Sequence, residues 1–426
     1  MKNSIPGPDR SWQVDKGFAV AARKDEPMKY IILLGDGMPD EAIASLGGKT
    51  PLQFAKTPAM DFMAQRGLMG LASTIPPGYP PGSDVANLSV FGYDPRTCYT
   101  GRSPLEAASM GVSLGPDDVA FRLNLVNLRT EDGTVFMGDY SSGHITTEEG
   151  RELVAALAVE LGDSEFEFHP GVSYRHLLVW RNGKEKLELT PPHDISGKSI
   201  EQHLPKGDGS DALLRLMKQS QSILTNHPLY RQRQEAGKTP ANSIWLWGHG
   251  KAPRMETYRD KFGLTGAVIS AVDLVRGIGV YAGLEIIKVP GATGYLDTNY
   301  QGKADAALEA LERHDFVYLH VEAPDESSHS GNVENKIQAI EDFDARIVAP
   351  ICEGIKKFGE YRILCTPDHP TPIRLMTHTS DPVPFILYRG EDAVKPAIAG
   401  YDEVSAAKTG FFLEDGFRLM ELLTGE

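Results

Sequence analysis

The 426 residues are 41% apolar and 24% charged, ordinary values for a globular chain, which removes the fibrous and disordered classes and leaves room for a large domain plus a smaller one. Lysine and arginine number 43 against 58 aspartates and glutamates, a formal net charge of −15, and that field opposes a long basic track for nucleic acid or an anionic membrane surface. No run approaches the roughly 18 uncharged apolar residues that span a bilayer, and Cys98, Cys352 and Cys365 are too scattered for a disulfide framework or a thiolate metal cluster, so a cytoplasmic location is expected.

Residues 1–27 mix charge with Gly and Pro and lack the apolar centre of a secretory signal; the expectation is an appendage outside the fold, with Met28 able to serve as a start. Hydrophobic patterning begins at "KYIILLGDG" and continues through "GLMGLAST", among several short apolar runs that end in Gly, Asp or Pro as buried strands of an open α/β sheet do. Residues 80–92, "PPGSDVANLSVFG", set Ser83 on a stiff Pro/Gly turn at the head of a helix, where a serine by itself reads as an N-cap. From about residue 118 to 240 the texture changes to short alternating strands, "VAFRLNLVNL", "TVFMGDYSS", "FEFHPGVSYRHLLVW" and "KLELTPPHD", with two helical segments among them. This predicts an α+β domain of residues 118–240 inserted into a parent domain of residues 28–117 and 241–426, the chain rejoining the parent sheet at "NSIWLW". Further strands follow at "EIIKVPGA", "DFVYLHVEAPD", "YRILCTPDHP" and "VPFILYRG", with helices at "ADAALEALERH" and "VENKIQAIEDFDARIVAPICEGIKKFG". Ligands of such sheets gather beyond the carboxyl ends of the strands.

Metal-ligand residue types occupy those ends: Asp36 in "LLGDGM", Ser83, Asp325 and His329 in "EAPDESSHSG", Asp368 and His369 in "CTPDHP", and His378 in "MTHTSDPVP". Such an N/O set suits transition metals better than calcium. Asp325 and His329, four apart, share one side of a helical turn, whereas adjacent Asp368 and His369 can face different ions. Seven donors exceed one tetrahedral site and suit two ions roughly 4 Å apart, the arrangement that clamps a transferring phosphoryl group. Two other motifs read as structure: "GGKT" at 47–50 lacks the earlier glycine of a phosphate loop, and "GIGVYA" at 277–282 follows a helix-like segment where a dinucleotide fingerprint needs a strand.

Taken in order, "GDGM", "PPGSDVANLSVFGYDP", "TGRSPLEAASMGV", "SSGHITTEE", "PDESSHSGN" and "PDHPTP…THTSDPVP" resemble the cofactor-independent phosphoglycerate mutases of the shorter, archaeal-type branch, within the alkaline phosphatase superfamily, from Met28 nearly to the C-terminus. The resemblance implies an alkaline-phosphatase-like three-layer sandwich around a mainly parallel sheet, with the inserted α+β domain as a substrate-binding lid. It further implies two divalent ions (Mn, Zn or Mg) and no 2,3-bisphosphoglycerate, with Asp36, Ser83, Asp368 and His369 holding one ion and Asp325, His329 and His378 the other. Ser83 would be the nucleophile that accepts phosphate from 2- or 3-phosphoglycerate and returns it. Candidates for gripping this small phosphorylated acid are Arg102, His144, Arg175 and Lys261, and His193 with Asp194 in "PPHDISG" are further cleft candidates. Asp84-Val-Ala-Asn87 stands where the longer branch has Glu-Val-Gly-His, so that branch's substrate contacts do not transfer into residues 118–240. The rival readings are a homoserine kinase-like phosphotransferase, a metal-dependent phosphatase or phosphodiesterase, and a non-catalytic metal-binding protein; oligomeric state is left open.

Overall fold

A computed structural model describes residues 28–390, 395 and 398–425; the expected appendage at 1–27 lies outside the described residues. The strands and helices that position the site are β1 (Lys29–Gly35), β2 (Leu68–Ala72), α1 (Ser83–Val90), α2 (Ser103–Ser109), β3 (Val119–Glu131), β4 (Thr134–Asp139), α3 (Thr147–Leu161), β5 (Phe166–Val172), β6 (Arg175–Trp180) and α4 (Ser210–Asn226). They continue with β7 (Ser243–Lys251), β8 (Gly266–Ile269), α5 (Asp273–Tyr281), β9 (Glu285–Ile287), α6 (Tyr300–Arg313), β10 (Phe316–Val321), α7 (Ala323–His329), α8 (Val333–Phe343), β11 (Tyr361–Thr366), β12 (Val383–Tyr388) and β13 (Phe412–Leu413).

One sheet of eight strands runs β9-β8-β10-β1-β11-β12-β2-β13. Every neighbouring pair is parallel except β11–β12 and β12–β2. Strand β1 is central, with Ile31 opposite Val317 on one side and Ile363 on the other. Its alternation fills both faces: Ile31 and Leu33 join the core under α6 and α8, and Ile32 and Leu34 join the core that includes Leu88, Leu105 and Ile278. Helices cover both sides, giving the three layers that the resemblance implies.

The second sheet is antiparallel, ordered β4-β3-β6-β5 with β7 also on β3. This corrects one expectation: "SIWLW" does not rejoin the parent sheet but pairs with β3, Ile244 opposite Leu125 and Trp245 opposite Asn124. A run of apolar residues marks a strand covered on both faces without saying by which sheet. Here α4 lies against it, Ser220 Oγ accepting from Ile244 N, and Ile244 to Trp247 belong to the second sheet's own core. The second sheet therefore extends to Lys251. Helix α3 starts on a capping box, Thr146 Oγ1 accepting from Glu149 N while the Glu149 carboxylate accepts from Thr146 N.

The two lobes touch backbone to backbone where Thr100–Arg102 crosses β7. Gly101 has φ 133°, which favours glycine, and a Cβ there would collide with the His249 carbonyl; a Cβ on Gly250 would collide with the Thr100 carbonyl. The predicted long helix after Asn332 is continuous but relaxes into a π-turn at Asp344–Val348. Both decoy motifs are structural: Gly47 closes a short helix and Thr50 caps the next one, and Gly277 lies inside α5 against Leu105 O. No helix among the described residues is long and apolar enough to cross a membrane.

Candidate active site

Asp36 sits one residue beyond β1, its N–H bonded to Val321 O, so the central strand delivers its carboxylate to the carboxyl edge of the sheet. Gly37 follows with φ 63°, a turn that brings its N–H to Asp368 Oδ1; a Cβ there would strike Asp325 Oδ1 and Thr371 Oγ1. Asp368 and His369 follow β11, Asp325 and His329 lie on α7 after β10, and His378 comes from the loop before β12. All seven sequence-predicted donors meet here. Ser83 Oγ is 3.0 Å from His369 Nε2, and His369 Nε2 is 3.6 Å from Asp36 Oδ1 and 3.4 Å from Asp368 Oδ2. Alongside, His329 Nε2 lies 3.1 Å from Asp325 Oδ2 and 2.9 Å from His378 Nε2. Two groups have donor atoms within 4.8 Å of one another, Asp36/Asp368/His369 and Asp325/His369/His378, so His369 stands on the boundary between the two halves.

Ser83 is the first residue of α1 and not its cap. The cap position is Gly82, and the serine side chain makes no capping bond, pointing instead to His369. The helix N-terminus thus faces the site with its positive end.

Bonds behind the donors fix which ring nitrogens face inward. His329 Nδ1 lies 2.9 Å from Met376 O and carries a proton directed away from the site, which turns Nε2 towards Asp325 and His378. His369 Nδ1 is 3.2 Å from Thr371 Oγ1, which itself donates to Asp325 Oδ1 at 2.5 Å, so Nε2 again faces Ser83 with its lone pair. His320, fully buried and absent from the sequence-based set, is pushed down to about 3 by burial and is neutral; Ser270 Oγ donates to its Nδ1, and its Nε2–H donates to Asp36 Oδ2 at 2.9 Å. Asn87 donates to Asp368 Oδ2 and to Ser83 O and accepts from Tyr318, which fixes Asp368 from behind. Buried Lys336 bonds Asp40, Pro39 O and Thr371 O, tying the Asp36 loop to the His369 loop.

The electrostatics call for a cation. Burial, then the charges of Asp368 and Asp325, push the Asp36 carboxyl well above its usual range, and burial with Asp325 and Glu326 nearby pushes Glu322 up to about 8. Asp36 Oδ1 is buried with no hydrogen-bond partner. A divalent ion at that oxygen satisfies it and offsets the crowded carboxylates, so the residues present fit a metal.

A cavity of about 1160 Å³ opens beside these donors between the two lobes. The large lobe contributes Asp84, Arg102, His329 and His378, and the other contributes Arg122, His193, Asp194 and Trp247, so the cleft reading of His193 and Asp194 agrees with their placement. Of Arg102, His144, Arg175 and Lys261, the four residues expected to grip the substrate, only Arg102 lines it. Exposed His144 stacks edge-on to Tyr174, and the Arg175 guanidinium lies 5.5 Å from the same ring. Lys261 is elsewhere, its ammonium over the Tyr93 and Phe262 rings, 5.7 and 5.3 Å away. Arg122 was not foreseen: an arginine in "VAFRLNL" reads as the wet face of a strand, but it is 7% exposed beneath Trp247, 4.4 Å from that ring.

Residues 64–230 match the family profile for 2,3-bisphosphoglycerate-independent phosphoglycerate mutase. A probable 2,3-bisphosphoglycerate-independent phosphoglycerate mutase of Geobacter sulfurreducens is 69% identical over 396 residues, 93% of this chain and 99% of that one. The chain belongs to this family of phosphoglycerate mutases. Solved structures agree: a Pyrococcus horikoshii protein superposes with TM-score 0.79 at 29% identity over 94% of this chain and 97% of its own. The cofactor-independent phosphoglycerate mutase of Thermoplasma acidophilum superposes with TM-score 0.63 at 25% identity over 94% and 99%. Membership makes the chain an isomerase by class, and the mutase architecture is the one described above: a parallel-sheet lobe with the donors at its strand ends and an antiparallel lobe across the cavity.

Proposed function

We propose that the chain interconverts 2- and 3-phosphoglycerate through a phosphoserine on Ser83, in a site that holds two divalent ions (Mn, Zn or Mg), as a cytoplasmic enzyme. The observation that carries this reading is the convergence of Ser83 with six Asp and His donors around an unpartnered buried oxygen of Asp36. Asp36, Ser83, Asp368 and His369 would hold one ion and Asp325, His329 and His378 the other, with His369 close to both. When bound, the ions supply positive charge for an ionised serine oxygen and for the phosphoryl oxygens.

The chain's own residues do the rest. Ser83 Oγ gives up its proton as it attacks the phosphoryl phosphorus, the P–O bond to glycerate breaks, and the leaving glycerate oxygen takes up one proton in exchange, so the transfer is proton-neutral. The freed glycerate turns in the cavity, and its other hydroxyl gives up a proton as it takes the phosphoryl group back from Ser83. Arg102 supports the substrate from the cavity wall; Arg175 and His144 contact the Tyr174 ring, and Lys261 takes no part. The antiparallel lobe, folded over the donors as the lid, limits water, which otherwise hydrolyses a phosphoserine.

The test is metal-loaded protein with 3-phosphoglycerate, 2-phosphoglycerate being followed by an enolase-coupled assay and phosphate on Ser83 by mass spectrometry. Ser83→Ala is expected to lose the phosphopeptide and at least about 10³-fold in rate. Unchanged activity in that variant removes the nucleophile, and formation of phosphohomoserine from ATP and homoserine without 2-phosphoglycerate replaces the reading altogether.

A further inference from the structure

Glu106, on α2, does not line the cavity; it lies just behind the wall. One of its oxygens accepts from Arg102 Nε at 2.9 Å and the other is 3.2 Å from Arg122 Nε. One carboxylate therefore holds two guanidiniums by the same inner nitrogen. Arg102 comes from the loop ahead of α2 and Arg122 from β3 of the other lobe, so the two forks converge from opposite sides of the junction. No hydrogen bond of their Nη atoms to the described residues exists, although both side chains line the cavity. Trp247 lies against the Arg122 guanidinium, a Cβ added at Gly248 would just touch the Arg122 stem, and Gly248 O accepts from Ser103 Oγ. Arg175 is an electrostatic neighbour of both Glu106 and Arg122. The wall of the same cavity also carries Asp84, Glu188 and Asp194, so the paired guanidiniums are a local positive site on that wall.

We infer that Glu106 is a positioning residue, binding Arg102 and Arg122 through Nε so that their free Nη forks together take the carboxylate of the substrate while its phosphoryl group lies at Ser83. This rests on the phosphoglycerate reading above and adds a substrate requirement to it: a second anion held across the cavity from the phosphoryl group. A planar fork with Nε anchored has both Nη donors aligned for a carboxylate, so the anchor works by removing rotamer freedom before the ligand arrives.

Glu106→Gln separates positioning from mere charge. Its single carbonyl oxygen can anchor one arginine, and its NH2 group confronts the other donor to donor. As a counter-charge only, Glu106 would weaken anion binding, and its neutralisation would lower KM. As a positioner, its loss raises KM for 3-phosphoglycerate about tenfold or more while kcat changes less than about threefold. The proposal also requires that Glu106→Gln add nothing further in an Arg102→Lys/Arg122→Lys background. A KM that is unchanged or lower, or a full additional loss in the lysine background, overturns it. Where Glu106→Gln does not fold, Arg122→Lys alone is read: it keeps the charge but not the fork, and an unchanged KM overturns the proposal. Calorimetric binding of 3-phosphoglycerate and of glycerol 3-phosphate, which lacks the carboxylate, runs alongside. If wild type shows no mutase activity yet prefers 3-phosphoglycerate in a Glu106-dependent way, the phosphoglycerate reading fails and the subsite stands. Equal binding of the two compounds by wild type overturns the subsite whatever the activity.

Discussion

His320 does its work through another residue. Neutral and fully buried, it holds Asp36 by one oxygen and leaves the other bare, which orients the carboxylate without using up its second oxygen. His320→Asn should weaken Mn²⁺ binding about 10- to 100-fold, measured by equilibrium dialysis. His176 in the second lobe shows the acid side of the same burial. Desolvation pushes it down to about 3, its Nδ1 accepts from Gly171 N, and its buried Nε2 has no partner. A histidine whose folded pKa is depressed gives stability that is complete above the unfolded value of about 6.5 and is lost as pH falls towards the folded one. Between those values wild type should lose about 1.4 kcal/mol per pH unit more than His176→Gln, read from denaturant midpoints. The contrast with Ser83 and the metal donors shows what a sequence makes legible. Ser83, Asp36 and Asp368 declare themselves because polar ligand types sit at the ends of apolar runs. His320 is inside such a run, "DFVYLHV", where a histidine looks like one more core residue; Arg122 and Glu106 are hidden likewise, because pairing across lobes leaves no local spacing.

At the scale of elements, a helix can be completed by a distant one. The helix Pro58–Ala64 has no side-chain bond from its own cap residue Thr57; its Ala59 and Met60 N–H groups donate instead to Asp344, in the π-turn of the long helix. The wider turn carries Asp344 into that position, and burial raises its carboxyl to about 6 despite the two N–H bonds. Asp344→Ala should cost about 1–3 kcal/mol, seen as a lower denaturation midpoint with the kinetics of the folded enzyme unchanged. Most elements were readable from their apolar runs and periodicity, β1 and β11 being the clearest. The assignment of β7 was not readable, because a doubly covered strand carries the same apolar run in either sheet and only the register opposite β3 decides.

For the whole molecule, metal and stability are linked. Asp36, Asp325 and Asp368 are buried together, an arrangement whose mutual repulsion a cation relieves. Chelation should lower the melting temperature, and Mn²⁺ or Zn²⁺ should restore it, by about 2.7 kcal/mol for each site held at 100 times its dissociation constant. Unchanged melting on chelation would contradict metal occupancy of these donors. The seam at Gly101 and Gly250 has a further consequence. Because main chain rests on main chain there, with no room for a methyl group between, that edge of the cavity has nothing to compress and little to slide. A lid swing that admits substrate would then be smallest at the two glycines and larger along the rest of the lining, which includes Leu187–Pro191 from one lobe and Met376 and Thr377 from the other.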